Sequence, residues 1–237
     1  NTDTLNLNID RSSELTGNLT LTLGSGTDSL NSAKLKNGDS IDMGAGDDAV
    51  YLMLTGSNGT PTISAANISN LDGGAGTDTL GFEESGSNTS ELTLTTAGAT
   101  NFENITGTAG SETIKGDNND NVLKGLRGSD TIYGYGGNDT LYAGSSNLSQ
   151  FSNTLYGGAG NDTLIGDHGD ETLDGGTGAD TITSSLGVDV FVLRIGSGGS
   201  AITDADTFKD FTDGTDLIGL DNGLTFAELT IEQGTGS

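Results

Sequence analysis

Between residues 107 and 192 the chain repeats every nine residues, and that period decides what it can fold into. Written from its first glycine, the unit is Gly-Gly-x-Gly-x-Asp-x-aliphatic-x, with residues 157–165, GGAGNDTLI, as a clean copy. The same frame reads GTAGSETIK from 107, GDNNDNVLK from 116, GLRGSDTIY from 125 and GYGGNDTLY from 134. It continues as GDHGDETLD from 166, GGTGADTIT from 175 and SSLGVDVFV from 184. One interval departs: 134 to 157 is 23 residues, two periods plus five, and the frame is recovered from Leu148. A phosphate loop would lead its glycines into a lysine or an amphipathic helix. Here they lead into an acid and a short β-prone triplet.

The physics of the unit follows from its parts. A six-residue glycine-rich stretch reverses the chain through positive φ without Cβ clashes. The triplet that follows, such as TLI or TIY, sends its middle residue inward and its neighbours outward. Each nonapeptide is then half a coil, and two make a full turn of 18 residues. Stacked coils give an all-β fold, a right-handed parallel β-roll (a β-solenoid). Its core is a column formed by Ile114, Leu123, Ile132, Leu141, Leu155, Leu164, Leu173, Ile182 and Phe191. That column is thin, since one aliphatic side chain must offset the conformational entropy of a whole glycine-rich half-coil. A second source of cohesion is required.

Charge supplies a candidate. The chain carries 34 Asp and Glu against 8 Lys and Arg, a formal charge of -26, with 31% hydrophobic residues. So acidic a surface excludes a nucleic-acid binder and argues against adsorption to an anionic membrane face. Low hydrophobicity with high net charge usually means disorder, but here the polar residues are periodic. A column of carboxylates at the sixth position would repel itself unless cations lay between its members. Carboxylates beside bends full of carbonyl oxygens suit Ca²⁺, which takes about 6–8 hard oxygen ligands. Zinc is disfavoured: the chain has no cysteine and a single histidine, His168, which reads as a turn residue. No EF-hand loop, no H-E-x-x-H and no nucleophile–base set is present, so no catalysis is expected. No apolar run of 18 residues exists to cross a bilayer, and the opening NTDTLNLNID lacks the marks of a signal peptide.

The nonapeptide closely resembles the calcium-binding repeat of the repeats-in-toxin (RTX) family over residues 106–192. The resemblance implies several Ca²⁺ ions lying between successive turns on the same side of a roll. Same-side frames form two rows, one with Asn121, Asp139, Asp162 and Asp180 at the sixth position, the other with Glu112, Asp130, Asn153, Glu171 and Asp189. Asp139, Asp162 and Asp180 are expected to hold the best-occupied ions, with Asp130 and Asp189 as ligands in the second row. Glu112 and Glu171 depart from the pattern. The implied carbonyl donors are Gly134, Gly136, Gly157 and Ala159 on one side of each ion, and Gly158, Gly160, Gly176 and Gly178 on the other. Proteins similar to this one leave Gram-negative cells unfolded by type I secretion and fold in external calcium.

The flanks keep the idiom and lose the period. Residues 1–105 read as an irregular β-solenoid or sheet region, with LGSGTDSLN at 23, MGAGDDAVY at 43 and GGAGTDTLG at 73. Asp28 is a weaker candidate there, while Asp48 and Asp78 are expected calcium ligands. Residues 193–237 read as a capping hairpin packing Phe208, Phe211, Leu217 and Ile218 over the last coil. Asp204, Asp206 and Asp210 are expected to be solvated or locally hydrogen-bonded. The ending QGTGS reads as cut from a longer protein. The N-terminal idiom resembles bacterial surface-layer proteins carrying such repeats. This points to a structural module of a secreted cell-surface protein, with copies of itself or surface polysaccharide as partners. The alternatives are a domain of a secreted adhesin or toxin, or the carrier domain of a secreted protease, lipase or polysaccharide-modifying enzyme.

Overall fold

The computed structural model describes residues 4–10, 17–35, 38–53, 70–83, 91–96, 99–144, 150–194, 205–221 and 223–225. Strands of three to six residues dominate, and each pairs in parallel with the strand one coil away. In the periodic region Thr140, Leu141 and Tyr142 stand opposite Thr163, Leu164 and Ile165, which stand opposite Thr181, Ile182 and Thr183. On the other face Ile132 lies over Leu155, Leu155 over Leu173 and Leu173 over Phe191. The middle residue of every triplet from Ile114 to Phe191 in these columns is fully buried. The 23-residue step causes no slip: Thr131 pairs with Thr154 in the same register as Thr154 with Thr172. The register of both sheets is thus kept across the insertion, as expected where added length between strands costs little.

The expected parallel β-roll is thus present, and it extends beyond the periodic region. A ten-stranded sheet starts at Asn6–Asp10, includes Ser29–Lys34, Ala49–Met53, Thr79–Glu83 and Asn104–Thr106, and runs on to Thr207–Phe208. Within it Leu30 pairs with Val50, Val50 with Leu80, and Leu80 with Ile105, across steps of 20, 30 and 25 residues. The opposite face changes partner once. A four-stranded sheet of Thr20–Thr22, Ser40–Asp42, Asn70–Asp72 and Ala99–Thr100 serves the first coils. A seven-stranded sheet from Glu91–Thr93 to Leu217–Asp221 serves the rest. Residues 91–106 contribute to all three sheets, so the cross-section changes there while the stacking continues.

Among the described residues the C-terminal segment forms no hairpin. Thr207–Phe208 adds to Thr181–Thr183 and Leu217–Asp221 adds to Val190–Arg194, each in parallel, so the two strands extend opposite sheets as one more coil. An antiparallel hairpin would break the line of coil-to-coil hydrogen bonds, whereas a further coil continues it. Phe191 is covered by Phe208 and Phe211, with ring centroids 4.7 and 5.5 Å away. Ile218 stands opposite Phe191, but Leu217 remains exposed. Arg194 pairs with Asp174 and lies 3.7 Å from Asp221, tying together the last three strands of the seven-stranded sheet.

Turn conformation explains the glycines. In the frames from 43, 73, 157 and 175 the second and fourth positions are left-handed, as at Gly158 (φ 118) and Gly160 (φ 135). A Cβ on Gly160 would collide with Gly137 O, and one on Gly178 with Gly160 O, so neighbouring turns stack backbone to backbone. Leu126, Tyr135 and Ser185 occupy second positions with φ of 77, 78 and 79 and bear the steric cost of an L side chain there. Leu126→Gly is therefore expected to stabilise the roll by about 1 kcal/mol. Leu164→Ala, in the fully buried column, should cost about 2–5 kcal/mol. Chemical denaturation of the calcium-saturated chain measures both.

Candidate metal-binding turns

Each turn places its sixth residue immediately before a strand, with its backbone facing the equivalent residue of the next coil. The amide of that residue donates to the side chain of its counterpart one coil on. Asn121 N donates to Asp139 Oδ1, Asp139 N to Asp162 Oδ1 and Asp162 N to Asp180 Oδ1, all at 2.8 Å. In the second row Glu112 N donates to Asp130 Oδ1, Asp130 N to Asn153 Oδ1 and Glu171 N to Asp189 Oδ1, at 2.7–2.8 Å. The two rows expected from the spacing are therefore two hydrogen-bonded ladders, one along each edge of the roll.

The first row is longer than the repeat region. Asp28 N donates to Asp48 Oδ1, Asp48 N to Asp78 Oδ1, and Asp78 N to Glu103 Oε2, at 2.7–2.8 Å. Asn121 Nδ2 then reaches Glu103 O, so the two halves join through this residue. Asp28, Asp48 and Asp78 thus stand in one file with Asp139, Asp162 and Asp180. At the far end Asp180 N donates to Asp206 Oδ1 and Asp189 N to Asp216 Oδ1. Asp210 accepts from the amides of Ser184 and Ser185 at 2.9 and 2.7 Å. Asp206 and Asp210 are accordingly bonded across coils, not locally or to solvent, because the last coil presents the same row of amides. Asp204 lies outside the described residues.

Sequence reading also missed Asp39, which accepts from Leu19 N and precedes the strand Ser40–Asp42. Its signal was the triplet Asp-x-aliphatic, present without a glycine turn of the usual form. Glu103, Asp206 and Asp216 also stand immediately before a strand with an apolar residue two places on, but no Gly-x-Gly frame precedes them to mark the position.

The second carboxylate oxygen has a different fate. Oδ2 of Asp48, Asp78, Asp130, Asp139, Asp162, Asp180 and Asp189 is buried with no hydrogen-bond partner. These are the seven aspartates that the spacing singled out. The space beside the first glycine of the turn shows where the orphan oxygens lie. A Cβ added to Gly134 would strike Asp139 Oδ2 and Gly157 O; one added to Gly157 would strike Asp162 Oδ2 and Gly175 O. Carboxylate and next-coil carbonyl oxygens therefore converge on a cradle that only glycine leaves open. Third-position carbonyls also serve between coils, since Thr177 O accepts from Gly160 N at 2.9 Å. Gly136 registers with Ala159, and Gly158 with Gly176, along the same file. Among the described residues no three His, Cys, Asp or Glu side chains converge. A cation held here must take most of its ligands from carbonyls, which selects a hard ion of high coordination number.

Electrostatics reports the same need. Burial, aided by neighbouring carboxylates, pushes Asp130 and Glu171 up to about 8, Asp139 and Asp180 to about 7, and Asp78 and Asp162 to about 6. The amide bond to Oδ1 works in the opposite direction and does not overcome desolvation.

A family model of the RTX calcium-binding nonapeptide repeat matches residues 115–147 and 149–192. This chain carries RTX repeats. No curated protein matches it. RTX repeats bind Ca²⁺, and the orphan oxygens, the glycine cradles and the all-oxygen donor set fit that ion. Asp139, Asp162 and Asp180 with the carbonyls around Gly157 and Gly175 would hold it in one row, and Asp130 and Asp189 in the other. Upstream of the matched repeats Asp78 offers the same arrangement beside Gly73, whereas Asp48 keeps the orphan oxygen with Met43 in place of the first glycine. Bound calcium supplies the positive charge that lets all these carboxylates ionise together.

The upward shifts fix a pH dependence. Without calcium the folded chain holds more protons than the unfolded one between about pH 4 and about pH 8. The stability of the metal-free roll is therefore greatest in acid and falls as pH rises through that window. Circular dichroism in chelator should show more β-structure at about pH 5 than at pH 8. The calcium midpoint should move to higher concentration as pH falls, because protons compete for the same oxygens.

Proposed function

We propose that the chain is a non-catalytic structural module of a secreted bacterial cell-surface protein, folded and stiffened by calcium outside the cell. The reading rests above all on the orphaned, buried carboxylate oxygens found along both edges of the roll, at Asp48, Asp78, Asp139, Asp162 and Asp180 on one and Asp130 and Asp189 on the other. An ion bound only by the folded form adds RT ln(1 + [Ca²⁺]/Kd) to stability. With extracellular-type Kd values of about 10⁻⁴–10⁻³ M, millimolar calcium yields roughly 1 kcal/mol per site, and several such sites acting on one stack make a switch. In a cytosol poor in free calcium the chain stays loose enough for export; outside it orders. RTX repeats occur typically in type I-secreted, extracellular proteins, which accords with this order of events.

The surface-layer reading draws on the idiom of the N-terminal region and on the continuous ten-stranded sheet, which makes that region part of the same stiff rod. A rod with acidic flanks is suited to packing side by side through shared divalent ions. A calcium titration followed by circular dichroism and light scattering, with magnesium as control, tests both levels. β-structure should appear cooperatively at sub-millimolar to millimolar calcium and not with magnesium. Ordered arrays in the electron microscope at saturating calcium would support the lattice. A folded product that stays monomeric would favour the adhesin, toxin or carrier-domain alternatives.

A further inference from the structure

Not every turn of the roll is built alike. Among the described residues the turns from 125, 134 and 184 have Leu126, Tyr135 and Ser185 at the second position in the left-handed region, as glycine is in the frames from 43, 73, 157 and 175. Each of these seven turns ends in an aspartate whose Oδ2 is buried and unpartnered. The turns from 107, 116 and 166 have Thr108, Asp117 and Asp167 at the second position, none of them left-handed. There the second side chain accepts from the fourth amide: Gly110 N to Thr108 Oγ1 at 3.0 Å, Asn119 N to Asp117 Oδ1 at 2.8 Å, and Gly169 N to Asp167 Oδ1 at 3.0 Å. The sixth residue in all three is Glu112, Asn121 or Glu171, never aspartate.

Two of these self-closed turns fall on one coil. In residues 107–112 the Glu112 carboxylate accepts from Thr108 N at 3.2 Å and from Thr108 Oγ1. In residues 116–121 Asn121 Oδ1 accepts from Asp117 N at 2.9 Å, and Nδ2 donates to Glu103 O at 2.8 Å. Neither Glu112 nor Asn121 has an orphaned atom, whereas Glu171 Oε2 in the third such turn does. The sixth side chains of the coil 107–124 are therefore satisfied by their own turns and by Glu103 O, while the Glu112 and Asn121 amides donate onward to Asp130 and Asp139. Its strands Thr113–Lys115 and Val122–Lys124 enter both sheets, and Ile114 and Leu123 are fully buried. On either side lie coils that leave carboxylate oxygens open, at Asp78 before it and at Asp130 and Asp139 after it.

We propose that the coil 107–124 is a cation-independent seed of the roll, and that calcium occupies the left-handed turns on its two sides and orders them outward from it. This rests on the calcium reading above and adds to it where ordering begins. Thr108 and Asp117 are the positioning residues: they close their own turns and also engage Glu112 and Asn121, so no side-chain oxygen is left for an ion. A neutral or longer sixth residue is tolerated there because its partners are already in place.

Hydrogen exchange on the full chain, read by mass spectrometry with chelator and with millimolar calcium, tests the seed. In chelator, amides of residues 113–124 should exchange on the order of tenfold more slowly than those of residues 154–183. Saturating calcium should protect both. A second arm rebuilds the self-closed turn as a left-handed one with Asp117→Gly and Asn121→Asp together. Calorimetric titration should then count one more calcium per chain, and the protection in chelator should disappear. Uniform exchange in chelator, or an unchanged stoichiometry in the double variant, would overturn the seed while leaving calcium-driven folding intact. A wild-type chain that takes up no calcium would overturn both.

Discussion

The roll depends on a division of labour within one carboxylate. At each sixth-position aspartate with an orphaned oxygen, the other oxygen accepts the amide of the preceding coil, which fixes the side chain inward and sets the register of the stack. The orphaned oxygen is then turned away from water, as at Asp139 and Asp162. Burying an ionised oxygen without a partner is expensive, and doing so in a file compounds the cost through repulsion between neighbours. The bond that aligns the coils is thus also the reason they resist one another without a cation. Cohesion and calcium dependence come from the same atoms, and the slender aliphatic column has only to keep water out.

Much of this was legible in the repeat region because three features share one period. The triplet fixes the inward residue, the aspartate precedes it by two places, and the glycines precede the aspartate. Any one could be lost without obscuring the frame, as Asn153 shows after the five-residue insertion. The N-terminal coils obeyed the same rules but hid them, since the stride from strand to strand changes from 20 to 30 residues. Loop length costs little when the strands alone carry the register, so the file of Asp28, Asp48 and Asp78 was invisible as a file. Glu103 was hidden for a different reason: it occupies the equivalent place before its strand, but as a glutamate with no glycine frame ahead of it. The C-terminal coil was misread as a hairpin because alternation in its strands fixes which face is buried and says nothing about direction.

Variation among the turns has a physical logic of its own. A turn that is left-handed at its second and fourth positions packs closest to its neighbours and leaves the cradle open. A turn whose second residue is threonine or aspartate closes its side chain on the fourth amide; at Glu112 and Asn121 no side-chain atom is then orphaned, while at Glu171 Oε2 stays open. In a stack where each coil touches only its neighbours, stability is a sum of local terms and interfaces. Mixing the two kinds of turn therefore distributes the calcium requirement unevenly along the rod, with the junction of the three sheets beside the part that needs it least.

A second ladder explains why the stack does not slip. At the fifth position the direction of donation is reversed: Asn138 N donates back to Asp120 Oδ1, Asn161 N to Asn138 Oδ1, and Ala179 N to Asn161 Oδ1, at 2.6–2.9 Å. On the other edge serines do the same, with Ser129 N on Ser111 Oγ and Ser152 N on Ser129 Oγ. Adjacent residues in one turn thus tie a coil to its neighbour in opposite senses, the inner bond accepted by the following coil and the outer one by the preceding coil. A slip of one residue would place the outward fifth side chain where the buried sixth belongs and expose the aliphatic column. It would also misdirect both sets of bonds together. Register is therefore held by polar contacts that do not involve the orphan oxygens, so calcium has to stabilise coils whose alignment the side chains and amides already determine.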